Sequence, residues 1–105
     1  MTVSHKEFLL DHIAKDHDFA EEFLREGVNL LFAGDVETGK AVLRDYIKAT
    51  VGFEKLGKAV GTQSKSLIRM FGPRGNPQAR NLFNVIGYLQ KHAKIELHVA
   101  ISPAS

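Results

Sequence analysis

Residues 53–71 read FEKLGKAVGTQSKSLIRMF, and the spacing within them decides the fold. Before Gly61, the residues Phe53, Leu56, Gly57 and Val60 fall on one helical face. After it, Leu67, Met70 and Phe71 repeat that face. A short helix, a tight turn holding Gly and a second short helix form a helix-turn-helix unit, whose second helix can enter the DNA major groove. Gly61 suits the turn because it adopts φ > 0 freely. Gly57, one helical turn earlier, leaves room where the two helices approach most closely.

Charge separates the chain around this stretch. Residues 1–54 hold 6 Lys/Arg and 11 Asp/Glu, a net of −5, and residues 55–105 hold 8 Lys/Arg and 1 Glu, a net of +7. No acid occurs between Lys55 and Ile95. An acidic half and a basic half suggest two faces with different partners. The basic half coincides with the helix-turn-helix, as phosphate neutralisation requires. Solubilisation of two surfaces is the plainer alternative, and it weighs most for the acidic half.

Upstream, Phe8, Leu9 and Ile13 share one side of residues 4–15, which read as a short helix or an ordered arm. Asp16 and Asp18 offer a helix start, with Glu21 three residues after Asp18 as in a capping box. Phe19, Ala20, Phe23, Leu24, Val28 and Leu31 then describe an amphipathic helix of about four turns. Gly34 is the expected C-cap and Asp35 the next N-cap. Val42, Leu43, Tyr46, Ile47 and Ala49 form the inward side of the helix that follows.

Downstream, the glycines and prolines of GPRGNP (72–77) force a turn. Asn76 is the expected N-cap and Pro77 the first helical residue of a helix to about His92. Its buried stripe is expected at Ala79, Leu82, Phe83, Ile86 and Leu89. The period then changes. From Lys94 to Ile101 the chain alternates, with Ile95, Leu97, Val99 and Ile101 on one side and Glu96 and His98 on the other, which predicts a strand. A lone strand leaves its backbone groups unpaired. Ile95, Leu97 and Val99 are therefore candidates for pairing with a second copy, with a partner protein or with the N-terminal arm.

At 105 residues the sequence fits one domain, 1–105, with an N-terminal helical segment (1–34), the helix-turn-helix (53–71) and the strand (94–101). The absence of Cys excludes disulfides, thiolate metal sites and a Cys nucleophile. No apolar run reaches the roughly 20 residues of a membrane span. The N-terminal stretch carries acids unlike a signal peptide, so a cytoplasmic location is expected.

The order of elements, together with LGKAVGTQSKSLIRMFGPRGNPQARNLFNVIGYL, resembles the addiction-module antidote family, the HigA-like antitoxins with a phage-repressor type helix-turn-helix. In that family Leu-Ala-x-x-x-Gly leads into Leu-Ser-Arg-Glu-Ser-Leu, followed by a Gly-Asn-Pro turn, a helix and a short C-terminal strand. Leu56 to Gly61, Ser66-Leu67, Gly75-Asn76-Pro77 and Ile95 to Val99 fit those places. DFAEEFLREGVNLLFAGDVETGKAVLRDYI resembles the family's first two helices, so the likeness runs from about Asp16. Gly57 departs from the usual Ala, and Thr62-Gln63-Ser64-Lys65 stand where Leu-Ser-Arg-Glu is common. The resemblance implies an all-α, lambda-repressor-like domain of about five helices with a short C-terminal β-strand. It also implies a dimeric DNA-binding repressor that neutralises a small ribonuclease-like toxin.

With Leu67 and Met70 directed to the core, Gln63, Ser64, Lys65, Ile68 and Arg69 remain for the groove. Gln pairs with adenine, Lys and Arg with guanine, and Ile meets a thymine methyl. Lys55, Lys58, Arg74 and Arg80 flank the unit and are assigned to phosphates, which position without specifying. Thr62 joins them through the helix N-terminus beside it. The alternative leaves Ile68 in the core and Lys65 merely solvated.

Two other patterns are set aside. Residues 34–40 fit G-x-x-x-x-G-K, but position 41 is Ala, a helical pattern precedes, and Asp35 and Glu37 would repel phosphate. His5, His12 and His17 lack the i, i+4 spacing of a metal pair. No cofactor, metal site or enzymatic arrangement is read. The function expected is a sequence-specific transcriptional regulator of antitoxin type, a homodimer on a double-stranded DNA operator with a toxin as its second partner. A protein-interaction module without specific DNA binding and a nonspecific nucleic-acid binder are the alternatives.

Overall fold

The computed structural model describes residues 4–104. Among them the fold is all-α, with six helices: α1 (His5–Lys15), α2 (His17–Phe32), α3 (Val36–Ala49), α4 (Phe53–Val60), α5 (Ser64–Met70) and α6 (Ala79–Ala93). The sixth helix, beyond the five or so expected, is α1. It starts at Ser4, whose hydroxyl accepts the Glu7 N–H at 3.1 Å. It docks through buried Ile13 and through Lys6, whose ammonium donates to the buried Asp45 carboxylate of α3 at 2.6 Å.

Side-chain caps open the first three helices, and none opens α4, α5 or α6. Asp16 caps α2 by accepting the Phe19 N–H at 3.1 Å. That bond holds the Asp16 carboxyl below its ordinary value, with the nearby His12 acting in the same direction. Asp35 caps α3 in the same way, through the Thr38 N–H. The core gathers Leu24 and Val28 of α2, Leu43, Tyr46 and Ile47 of α3, Phe53 and Leu56 of α4, Leu67 of α5, Phe71, and Val85, Ile86 and Leu89 of α6. Burying such a side chain stabilises by about 1.5–3 kcal/mol, so one contiguous core holds all six helices. Phe53 and Phe71, the ends of the stretch read first, lie against each other with ring centroids 6.3 Å apart.

Three expectations are corrected. The N-cap of α6 is Gln78, not Asn76, and Pro77 lies outside the helix. Gln78 is extended at φ −69 and ψ 147, as a helix-opening residue is, and the first helical residue is Ala79, two residues later than expected. Phe83 is 57% exposed, and the buried stripe of α6 passes through Val85 instead. Finally, no strand occurs among the described residues, and Ile95 to Ile101 is a single segment without a ladder. The physical reason is the absence of a second strand: alternation alone supplies one edge, and a ladder requires two. Ile95 and Leu97 still pack against the core, half-buried, while Val99 is exposed.

Candidate nucleic-acid interface

The α4–turn–α5 unit is built on two glycines. Gly61 has φ +73 and ends α4 in the left-handed conformation. A Cβ at Gly57 would lie 2.5 Å from the Thr62 carbonyl oxygen, so the turn closes onto the helix only where no side chain stands. The Thr62 N–H donates to the Gly57 carbonyl at 3.0 Å, which completes the close approach. Thr62 thus spends its N–H within the unit and has none left for a phosphate. Gln63 is the N-cap of α5 but makes no side-chain capping bond.

Leu67 is 1% exposed and anchors α5 in the core. Gln63, Lys65, Ile68 and Arg69 are exposed, and Ile68, at 47%, is not a core residue. Lys65, Ile68 and Arg69 share the i, i+3, i+4 face. Ser64 is half-buried and donates its hydroxyl to Glu54 Oε1 at 3.1 Å. Ser66, not among the predicted readers, is exposed beside them.

The turn opens into a shallow depression lined by Glu54, Gly57, Lys58, Gly61, Thr62, Gln63, Ser64 and Lys65. It brings together five of the predicted residues and adds Glu54, an acid that the charge count left just outside the basic half. Lys55, Arg69, Arg74 and Arg80 are exposed but do not line it.

Ion pairs involve four of the six cations of the first half, Arg44 and Lys48 being the others. Lys6, Lys15, Arg25 and Lys40 each meet a carboxylate. Among the described residues, none of Lys55, Lys58, Lys65, Arg69, Arg74 and Arg80 is in an ion pair. Lys65 and Arg69 of α5, with Lys58 beside Lys65 in the depression, are thus exposed cations without a carboxylate partner, a local positive character of the kind that attracts a polyanion.

The G-x-x-x-x-G-K segment has a structural use that spacing did not reveal. Lys40 is 1% exposed, and its ammonium donates to the carbonyls of Gly72 and Gly75 at 3.0 and 2.6 Å while facing Glu37 at 3.1 Å. Arg44 adds a longer bond to the Phe71 carbonyl at 3.3 Å. Gly75 lies so close to the Arg69 and Met70 carbonyls that a Cβ would not fit. Helix α3 therefore fixes the turn after α5, which carries Arg74. Two of the three histidines of the N-terminal half meet carboxylates: His12 meets Asp16 at 3.4 Å and stacks on Phe19, and His17 meets Glu21 at 3.3 Å. Among the described residues no group of three His, Asp or Glu is placed to hold a metal, and no helix is long and apolar enough to cross a membrane.

Comparison of the chain with protein-family models, curated proteins and solved structures found no match in any of the three.

Proposed function

We propose that this protein is a sequence-specific DNA-binding transcriptional regulator of antitoxin type, a lambda-repressor-like helix-turn-helix domain that acts as a homodimer, represses its own operon and binds a ribonuclease-like toxin. One observation carries the DNA-binding part: Gly57 and Gly61 lock a three-residue turn that leaves Lys65, Ile68 and Arg69 of α5 facing outward among unpaired cations. In this reading α5 enters the major groove. Lys65 and Arg69 donate to guanine, Gln63 pairs with adenine, and Ile68 meets a thymine methyl, with about 1–3 kcal/mol of discrimination for each good bidentate pair. Lys55, Lys58, Arg74 and Arg80 neutralise phosphates and fix the register. A two-fold dimer would read half-sites about 34–36 Å apart.

The test is Lys65→Ala and Arg69→Ala, each assayed for operator binding. Loss of selective binding with an unchanged helical signal is expected. Equally selective binding by both variants would remove α5 from the reading role.

A second reading, a protein-interaction module without specific DNA binding, draws on a different surface. Phe32 and Phe83 are 59% and 57% exposed and line a groove with Leu97 and Val99. In that case partner binding resists salt, whereas DNA binding weakens steeply with it.

A further inference from the structure

Four helices meet at a cleft of about 450 Å³, within the size range of small-molecule sites. α1, α3 and α6 reach it with their last turns and α2 with its beginning. It shares no residue with the depression beside α5.

One wall holds a polar group with nothing to bond. Tyr46 is 2% exposed, and its hydroxyl has no hydrogen-bond partner among the described residues; the Thr50 hydroxyl beside it donates to the Tyr46 main-chain carbonyl instead, at 2.7 Å. No fully enclosed side-chain polar atom of the described residues lacks a partner. The Tyr46 hydroxyl is therefore not enclosed, and it opens onto the cleft that Tyr46 lines. Buried polar groups are normally bonded, so its partner must come from the cleft. Burial, and then the charge of Glu21, raise the phenol above its ordinary value. It stays protonated at neutral pH and can both donate and accept.

Charge is divided across the cleft. α1, α2 and α3 pack on one another and form one side. That side carries Glu21, half-buried, and the ends of α1 and α3, where the Ala14 and Ala49 carbonyls accept no backbone hydrogen bond among the described residues. Helix C-termini hold negative partial charge, so this side attracts a cation. The end of α6 carries Lys94, exposed and without a carboxylate partner among the described residues. Lys15 and His17, by contrast, already face Asp11 and Glu21 at 3.1 and 3.3 Å. Alanines at 14, 20, 49 and 93 keep the walls low beside Ile13, which leaves room for a short apolar chain.

We propose that this cleft binds a small aliphatic α-amino acid, with its ammonium group on Glu21 and the Tyr46 hydroxyl and its carboxylate toward Lys94. A simple anion would meet Glu21 and the helix C-termini, and a simple cation would leave Lys94 unmatched. A zwitterion satisfies both sides. The site is independent of α5 and of DNA.

L-Valine is the probe. Isobutylamine lacks its carboxylate and isovalerate lacks its ammonium group. Each is titrated into the full isotope-labelled chain without DNA and followed by amide chemical shifts. Valine is expected to saturate with a Kd of about 1 mM or tighter, shifting the amides of Glu21, Tyr46, Thr50 and Ala93. Isobutylamine should bind more weakly at the same amides, and isovalerate should not bind. Tyr46→Phe removes only a hydroxyl that holds nothing within the protein. Its thermal melt should match the parent, while valine affinity falls about tenfold or more, as for a hydrogen bond to a charged group. Glu21→Gln should weaken valine and isobutylamine alike, and Lys94→Gln should weaken valine alone. Valine shifts that never saturate would leave the hydroxyl to water and overturn the proposal. Isovalerate binding as well as valine, or undiminished valine affinity in Tyr46→Phe or Glu21→Gln, would overturn it too.

Discussion

Replacing Lys40 by Met isolates the contact that joins α3 to the turn behind α5. The substitution keeps most of the buried stem and removes the ammonium. Two hydrogen bonds from a charged donor are lost, to the Gly72 and Gly75 carbonyls, each contributing about 1.5–3 kcal/mol. Relief from burying the charge offsets part of that loss. The pair with Glu37 adds little, because the Glu37 side chain is 66% exposed and screened by solvent. The balance is a destabilisation of about 2–4 kcal/mol. For a domain of this size the melting temperature should fall by about 10 °C or more. Urea denaturation followed by helical circular dichroism measures it, with Glu37→Gln as a control expected within about 0.5 kcal/mol of the parent. A Lys40→Met protein as stable as that control would refute the claim that α3 holds the turn through this ammonium.

Other perturbations probe other links. Gly57→Val should destabilise by about 1–3 kcal/mol, measured in the same denaturation assay, because its Cβ would meet the Thr62 carbonyl and force the turn away from α4. Glu54→Gln removes the one acid of the depression, so affinity for DNA should rise, and fluorescence anisotropy at fixed salt would detect an opposite change. Lys55→Ala should weaken binding uniformly across sequences and lower the salt slope by about 1, which a salt titration reads directly. Asp16 gives a pH dependence of defined sign. Its carboxyl titrates lower in the folded state than in the unfolded one, chiefly through the Phe19 N–H, so its stabilising contribution is present above the ordinary carboxylate value and is lost as pH falls through the folded value. The stability gap between the parent and Asp16→Ala should be full at about pH 6 and close below about pH 4, and a gap that widens in acid would contradict this.

What could be read from the sequence was what local chemistry determines. Asp16, Gly34 and Asp35 mark helix ends through bonds or backbone conformations reaching three or four residues, and Gly57 and Gly61 mark a turn for the same kind of reason. The apolar spacing of α2, α3 and α4 picked out their inward residues. Lys40 was opaque because its partners lie 32 and 35 residues away, and no spacing rule reaches that far. Phe83 was misplaced because a helical stripe spans a broad arc, and tertiary packing turned α6 so that Val85 faces inward. The Ile95–Ile101 alternation was visible, but a strand needs a second segment in register, and the described residues offer none beside it. At the candidate interface, spacing separated Leu67 from Lys65 and Arg69 correctly. It did not foresee that Ser64 and Thr62 would spend their groups on Glu54 and Gly57.

The central claim is that α5 reads DNA sequence. A mobility shift of the purified full chain tests it most directly, using the DNA upstream of its own gene against random DNA at two salt concentrations. A discrete complex with the upstream DNA is expected at about 150 mM salt, exceeding nonspecific affinity by about 10³ or more. Equal binding to both DNAs that disappears as salt rises, or no binding at either salt, would contradict it.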